Sequence, residues 1–197
     1  GRWWWTVDRW TLGAIGVLIG FGYIMMLAAT PAVAERIGST RDMFILKQVV
    51  FLAMAGTLVV GVSLLSTRNI RRLAILGGII ALAMTLATMV MGVEIKGARR
   101  WISLPGMTIQ PSEFLKPCFA VAAAWLIAEG KRVPGFYGLP AAFAVFGLIV
   151  MLLKAQPDIG MLGVIVIVFM AQLYVSGMHM VFVTIGIGLL GTGAVAA

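Results

Sequence analysis

Residues 97–117 read GARRWISLPGMTIQPSEFLKP. The stretch is a polar island with a long apolar run on either side. It gathers Arg99, Arg100, Trp101, Gln110, Glu113 and Lys116, and the last two continue into the apolar run that follows. The flanks decide the fold, because a bilayer-spanning helix takes about 20 mostly apolar residues and the chain offers several such stretches.

Of 197 residues, 61% are hydrophobic and 11% charged, and mean hydropathy is +1.06. A soluble domain carries roughly 25% charged residues. The composition therefore excludes a soluble globular class and indicates an all-α, polytopic integral membrane helical bundle. Spans are expected at about 11–30, 45–65, 73–93, 112–129, 138–153, 159–176 and 180–197, in one transmembrane domain covering 1–197. The chain opens without Met and stops inside an apolar run, so it reads as truncated at both ends. RWWWTVDRW at 2–10 is an aromatic and basic interface anchor. The 13 methionines and the scattered glycines read as gap filling and close helix packing. Cys118 and His179 are each the single residue of their type, too few for a disulfide framework or a zinc site. The formal net charge of +8 is assigned to juxtamembrane cations facing anionic lipid, not to nucleic acid.

Cation bias should set orientation. With the N-terminus inside, the inner segments hold Arg2, Arg9, Arg68, Arg71, Arg72, Lys131 and Arg132. The outer ones hold Arg36, Arg41, Lys47, Lys96, Arg99, Arg100 and Lys154, a tie. The STRNIRR loop at 66–72, with three arginines and no acid, favours the N-terminus inside. Cations retained on the outer face call for a reason, and an anionic ligand is one.

Two expected helix starts look alike. Gln110-Pro111 opens the fourth span and Gln156-Pro157 the sixth, and an acid follows each proline, Glu113 and Asp158. Pro suits a first helical turn. Acids there complement the helix dipole, which is the purely structural reading of both. Glu113 and Lys116 are three apart and share a helix face. A charge near bilayer depth costs at least about 2.5 kcal/mol, so it faces a cavity or a partner. Pro117, inside the same helix, frees the carbonyl of Glu113. These features outline a polar cavity open to the outer face, with Arg99, Arg100 and Trp101 at its mouth. Arginine's planar donors suit phosphate oxygens; pairing with lipid headgroups is the alternative.

KGARRWISLPGMTIQPSEFLKP at 96–117 and QPDIG at 156–160 resemble two signature blocks of the SEDS family (shape, elongation, division and sporulation). The likeness extends over essentially the whole chain, and VDRWTL, ATPAVAERIG and RNIRRLA are more like its division branch than its elongation branch. The resemblance implies ten spans and a peptidoglycan glycosyltransferase that polymerises lipid II at the outer face of the bacterial inner membrane, at the division septum. It implies a class B penicillin-binding protein transpeptidase and other divisome membrane proteins as partners. Matched position by position, it implies a substrate-binding cavity of Arg99, Arg100, Trp101, Gln110, Ser112, Glu113, Lys116 and Asp158, with Gln156, Pro157 and Gly160 in the later block. The family's catalytic base is expected in a large outer loop beyond residue 197, so the 197-residue chain alone is expected to be inactive. No cofactor is identified, and a divalent metal is left open. Two other functions fit the same intramembrane charges: a lipid II transporter, or a non-catalytic divisome scaffold.

Overall fold

The computed structural model describes residues 8–37, 41–95, 98–104 and 107–178. Six helices and a small sheet follow in order: α1 (Arg9–Ile37), α2 (Arg41–Ser63), α3 (Thr67–Met91), β1 (Val93–Ile95), β2 (Ala98–Leu104), β3 (Met107–Ile109), α4 (Ser112–Arg132), α5 (Gly138–Ala155) and α6 (Ile159–Val175). They form two compact units, Gly1–Ser66 and Thr67–Ala197.

In the first unit, α1 begins at Asp8, whose carboxylate accepts from the amides of Trp10 (3.0 Å) and Thr11 (3.3 Å) and from the Thr11 hydroxyl. That is an N-cap, satisfying amides that have no partner within the helix. The span-length stretches Arg9–Ala28 and Ile45–Ser63 are apolar yet unburied. Val17, Leu18, Phe21 and Ile24 stand exposed along α1, a surface suited to hydrocarbon.

The second unit has an inside-out pattern. The buried positions of α3 are Ala74, Ala81, Thr85 and Thr88, while Leu73, Leu76, Ile79 and Ile80 face outward. Small and hydroxyl residues inside, large aliphatics outside, is how helices pack in lipid, where close backbone approach replaces the hydrophobic effect. Helix α4 packs against α3, α5 and α6. Its Phe119, Ala123 and Ile127 join Phe146 and Leu153 of α5 and Ile165 and Phe169 of α6 in one core. Phe146 and Phe169 stack at 4.5 Å, and Phe143 meets Phe169 edge-on at 5.1 Å. At one end of α4 the chain turns at Gly135, φ +82°, and Gly138 presses against α4 so closely that a Cβ would lie 2.0 Å from the Leu126 carbonyl oxygen.

Among the described residues, four helical stretches, Arg9–Ala28, Ile45–Ser63, Thr67–Met91 and Gly138–Ala155, are long and apolar enough to span; Ile159–Val175 is a shorter apolar helix. The helix expected at 112–129 exists as α4, with Pro117 inside it. The span expected at 180–197 lies outside the described residues. Two local expectations change. The STRNIRR segment is not a loop: α3 starts at Thr67 and carries all three arginines in its first turns. Neither Gly nor Pro interrupts it. The polar island is not irregular either, but an antiparallel sheet of order β1-β2-β3. Val93 pairs with Trp101, Glu94 with Arg99, Ile102 with Ile109 and Ser103 with Thr108. Strand β2 packs on α3. The pairs Lys96-Gly97 and Pro105-Gly106 were the available turn signals in the sequence.

Candidate functional site

Adjacent arginines take opposite roles because successive strand side chains point to opposite faces. Arg99 and Glu94 occupy paired positions, and their side chains meet at 3.3 Å, both more than half exposed. Arg100 turns to the other face. Its Nη1 lies 3.2 Å from Oδ1 of Asp158, whose side chain is 9% exposed. Gln110, between β3 and α4, donates from Nε2 to Asp158 Oδ2 at 2.9 Å and to Ser112 Oγ at 3.0 Å. The Asp158 carboxylate also caps α6, accepting from the Met161 amide at 3.2 Å. Strand β2, the lead-in to α4 and the head of α6 thus converge on one carboxylate. The Arg100 Nε is buried with no acceptor.

The two helix starts that look alike in sequence differ. Asp158 sits before its helix as the cap and faces inward; Glu113 sits within the first turn of α4 and faces outward. Glu113 and Lys116 pair with each other, one turn apart. No side-chain hydrogen bond or ion pair between described residues joins them to Arg100, Gln110 or Asp158. Trp101 is half-buried opposite Val93. The amides at the head of α4 are not open either. Those of Glu113 and Phe114 bond back to the carbonyls of Gln110 and Pro111, both at 3.1 Å.

Three cations of this region are each paired with an acid: Arg99 with Glu94, Arg100 with Asp158, Lys116 with Glu113. At membrane depth an unpaired charge is too costly to keep. Among the described residues no three His, Cys, Asp or Glu side chains converge as a metal site.

Sequence reasoning placed Gln156 in the later block without a role. It is 3% exposed and closes α5. Its Nε2 donates to the Thr85 carbonyl (3.0 Å) and to Thr88 Oγ1 (2.8 Å). The Thr88 hydroxyl donates to the Thr85 carbonyl, and that of Thr85 to the Ala81 carbonyl. The turn that delivers Asp158 is thereby bolted to α3. The signal was two threonines one helical turn apart on the buried face of an apolar helix.

A membrane-embedded helical bundle with a paired polar cluster at one end of its second unit is a multi-pass membrane protein. The family described as "Cell cycle protein" (FTSW_RODA_SPOVE) matches residues 9–197, and the chain belongs to that family. It is 38% identical, over all of its length and 49% of the relative's, to the probable peptidoglycan glycosyltransferase FtsW of Caulobacter vibrioides. With the same-named protein of Escherichia coli O6:H1 it shares 31% identity over 86% of this chain and 42% of the relative. The chain therefore spans about half the length of these relatives. Among solved structures it resembles the rod shape determining protein RodA of Thermus thermophilus, with TM-score 0.75, 26% identity, and coverage of 96% of this chain and 60% of that one. It also resembles a chain from a structure described as "Structural coordination of polymerization and crosslinking by a peptidoglycan synthase complex", with TM-score 0.63, 27% identity, and coverage of 87% and 52%.

Proposed function

We propose that the full-length protein is a peptidoglycan glycosyltransferase that polymerises lipid II at the outer face of the bacterial inner membrane during division. In this reading the end of the bundle bearing β2, Gln110 and Asp158 faces outward and receives the lipid diphosphate. One observation carries it: Asp158 fixes Arg100 through Nη1, while 27% of the Arg100 side-chain surface stays open. A planar donor set held in this way is prepared for an oxygen-rich anion. The names of the FtsW relatives support the reaction. The peptidoglycan synthase complex among the structural relatives supports a class B penicillin-binding protein transpeptidase as partner, and the family match supports a place at the septum among other divisome membrane proteins. The catalytic base is assigned to an outer loop beyond residue 197.

Purified full-length protein and fluorescent lipid II test this. Glycan polymer formed in detergent supports the transferase. Transbilayer movement of lipid II in vesicles without polymer makes the protein a transporter, and neither activity makes it a scaffold. Within the transferase reading, Arg100→Lys keeps the charge and loses the fork. It should turn over lipid II more slowly than wild type, and Arg100→Ala more slowly still. Equal turnover by wild type and Arg100→Lys across a lipid II titration removes diphosphate recognition from Arg100.

A further inference from the structure

At the end of the second unit opposite Asp158, the first turns of α3 meet the last turns of α4. One face of α3 carries Arg68, Arg71, Ile75, Gly78 and Leu82, spaced alternately three and four apart, which is a single helical stripe. The matching stripe of α4 carries Cys118, Ala122, Trp125, Glu129 and Arg132. Between the apolar parts of these stripes, with α5 on a third side, lies a groove of about 250 Å³ lined by Ile75, Gly78, Leu82, Cys118, Ala122 and Trp125 among others. Its lining is almost wholly apolar, which does not hold water. At its end Arg71 stacks over Trp125, 5.0 Å from the ring centroid. The Trp125 indole N–H donates to Glu129 at 3.2 Å. Arg68 and Arg132, which end the two stripes, stand exposed here, and Glu129 is the one acid of α3 and α4 at this end.

We infer that this groove is a binding site for an anionic glycerophospholipid, with an acyl chain lying between α3 and α4 and the phosphate at Arg68 and Arg71. Two features of one continuous surface select that ligand. The apolar groove matches a hydrocarbon tail, and three cations, Arg68, Arg71 and Arg132, against one acid at its mouth match a phosphate head. Arg71, braced on Trp125, stands where the two meet. The site lies at the far end of the bundle from the Arg100 cluster and does not depend on the glycosyltransferase reading.

Native mass spectrometry of the full-length protein, titrated with phosphatidylglycerol or phosphatidylcholine, tests the site. Wild type should retain phosphatidylglycerol in preference. Arg68→Gln with Arg71→Gln should lose that preference, by roughly five-fold per cation removed, and Ala122→Leu, which fills the groove, should lower retention of both lipids. Thermal unfolding in detergent reports that the variants are folded. Equal retention of the two lipids by wild type overturns the inference. So does undiminished phosphatidylglycerol binding in the double arginine variant. Loss in the arginine variant with no change in Ala122→Leu makes the contact a surface headgroup contact and removes the groove. Retention of neither lipid gives the groove to another segment or a second copy of the chain.

Discussion

Arg100 and Asp158 meet at 3.2 Å, joining the middle strand of a small sheet to the cap of a distant helix. The Asp158 carboxylate does three things at once. It pairs with Arg100, accepts from Gln110 and ends the amide ladder of α6. Asp158→Asn keeps a capping residue type but removes the charge that holds Arg100. Asp158→Ala removes both. Leaving Arg100 without its partner costs about 3 kcal/mol, and the lost cap adds about 1 kcal/mol. Unfolding of the full-length protein in detergent should rank wild type above Asp158→Asn above Asp158→Ala. Equal stability of Asn and Ala variants would show that the cap carries no weight.

Gln156 and Thr88 form a buried polar bolt inside an apolar bundle. Gln156→Leu and Thr88→Val should each destabilise by about 1–2 kcal/mol. Because they remove the same bond, the double variant should fall short of the sum by about 1 kcal/mol. Strict additivity in a double-mutant cycle would separate the two residues.

The Glu113–Lys116 pair is more exposed, with Glu113 at 53%. Exposed pairs contribute about 0–1 kcal/mol, so Glu113→Ala should insert and fold normally. If the pair serves the substrate, Glu113→Ala lowers lipid II polymerisation at unchanged protein level. Normal activity in the double variant Glu113→Leu with Lys116→Leu would restrict the pair to a structural role.

Orientation is open to direct labelling. Ser103 and Asn69 are both exposed and lie toward opposite ends of the second unit. In a cysteine-free background, Ser103→Cys should react with an impermeant thiol reagent in intact spheroplasts and Asn69→Cys should not. The reverse pattern defeats an outward-facing Arg100 site.

The Asp8 carboxyl is held below its ordinary range, chiefly by the Thr11 hydroxyl and then by the Trp10 amide. A depressed folded value means the cap contributes above the unfolded carboxyl's pKa and is lost as pH falls through the folded one. Amide protection at Trp10 and Thr11 should therefore survive into acid below the usual carboxylate range. Thr11→Val should move its loss to higher pH, and an unmoved profile would remove the hydroxyl as the cause.

Sequence alone determined the class of the protein. Apolar runs of span length and too few charges to cover a soluble surface leave few architectures, because lipid forces every backbone amide to find its partner within the segment. The family was legible too, in the blocks around Arg100 and Gln156. Tertiary structure decided which polar residues work together. Arg99 and Arg100 are neighbours with the same chemistry, and only the strand pleat sends one to Glu94 and the other to Asp158. Glu113 and Asp158 follow similar Gln-Pro pairs, and only their places relative to the first helical turn make one an outward ion-pair partner and the other an inward cap. Gln156 reads as a helix-end residue until α3 brings Thr85 and Thr88 against it. Local pattern fixes an element's type and its apolar face. A hydrogen bond between residues far apart in sequence depends on how helices cross, and that is set by packing between elements such as α3 with α4 and α4 with α6.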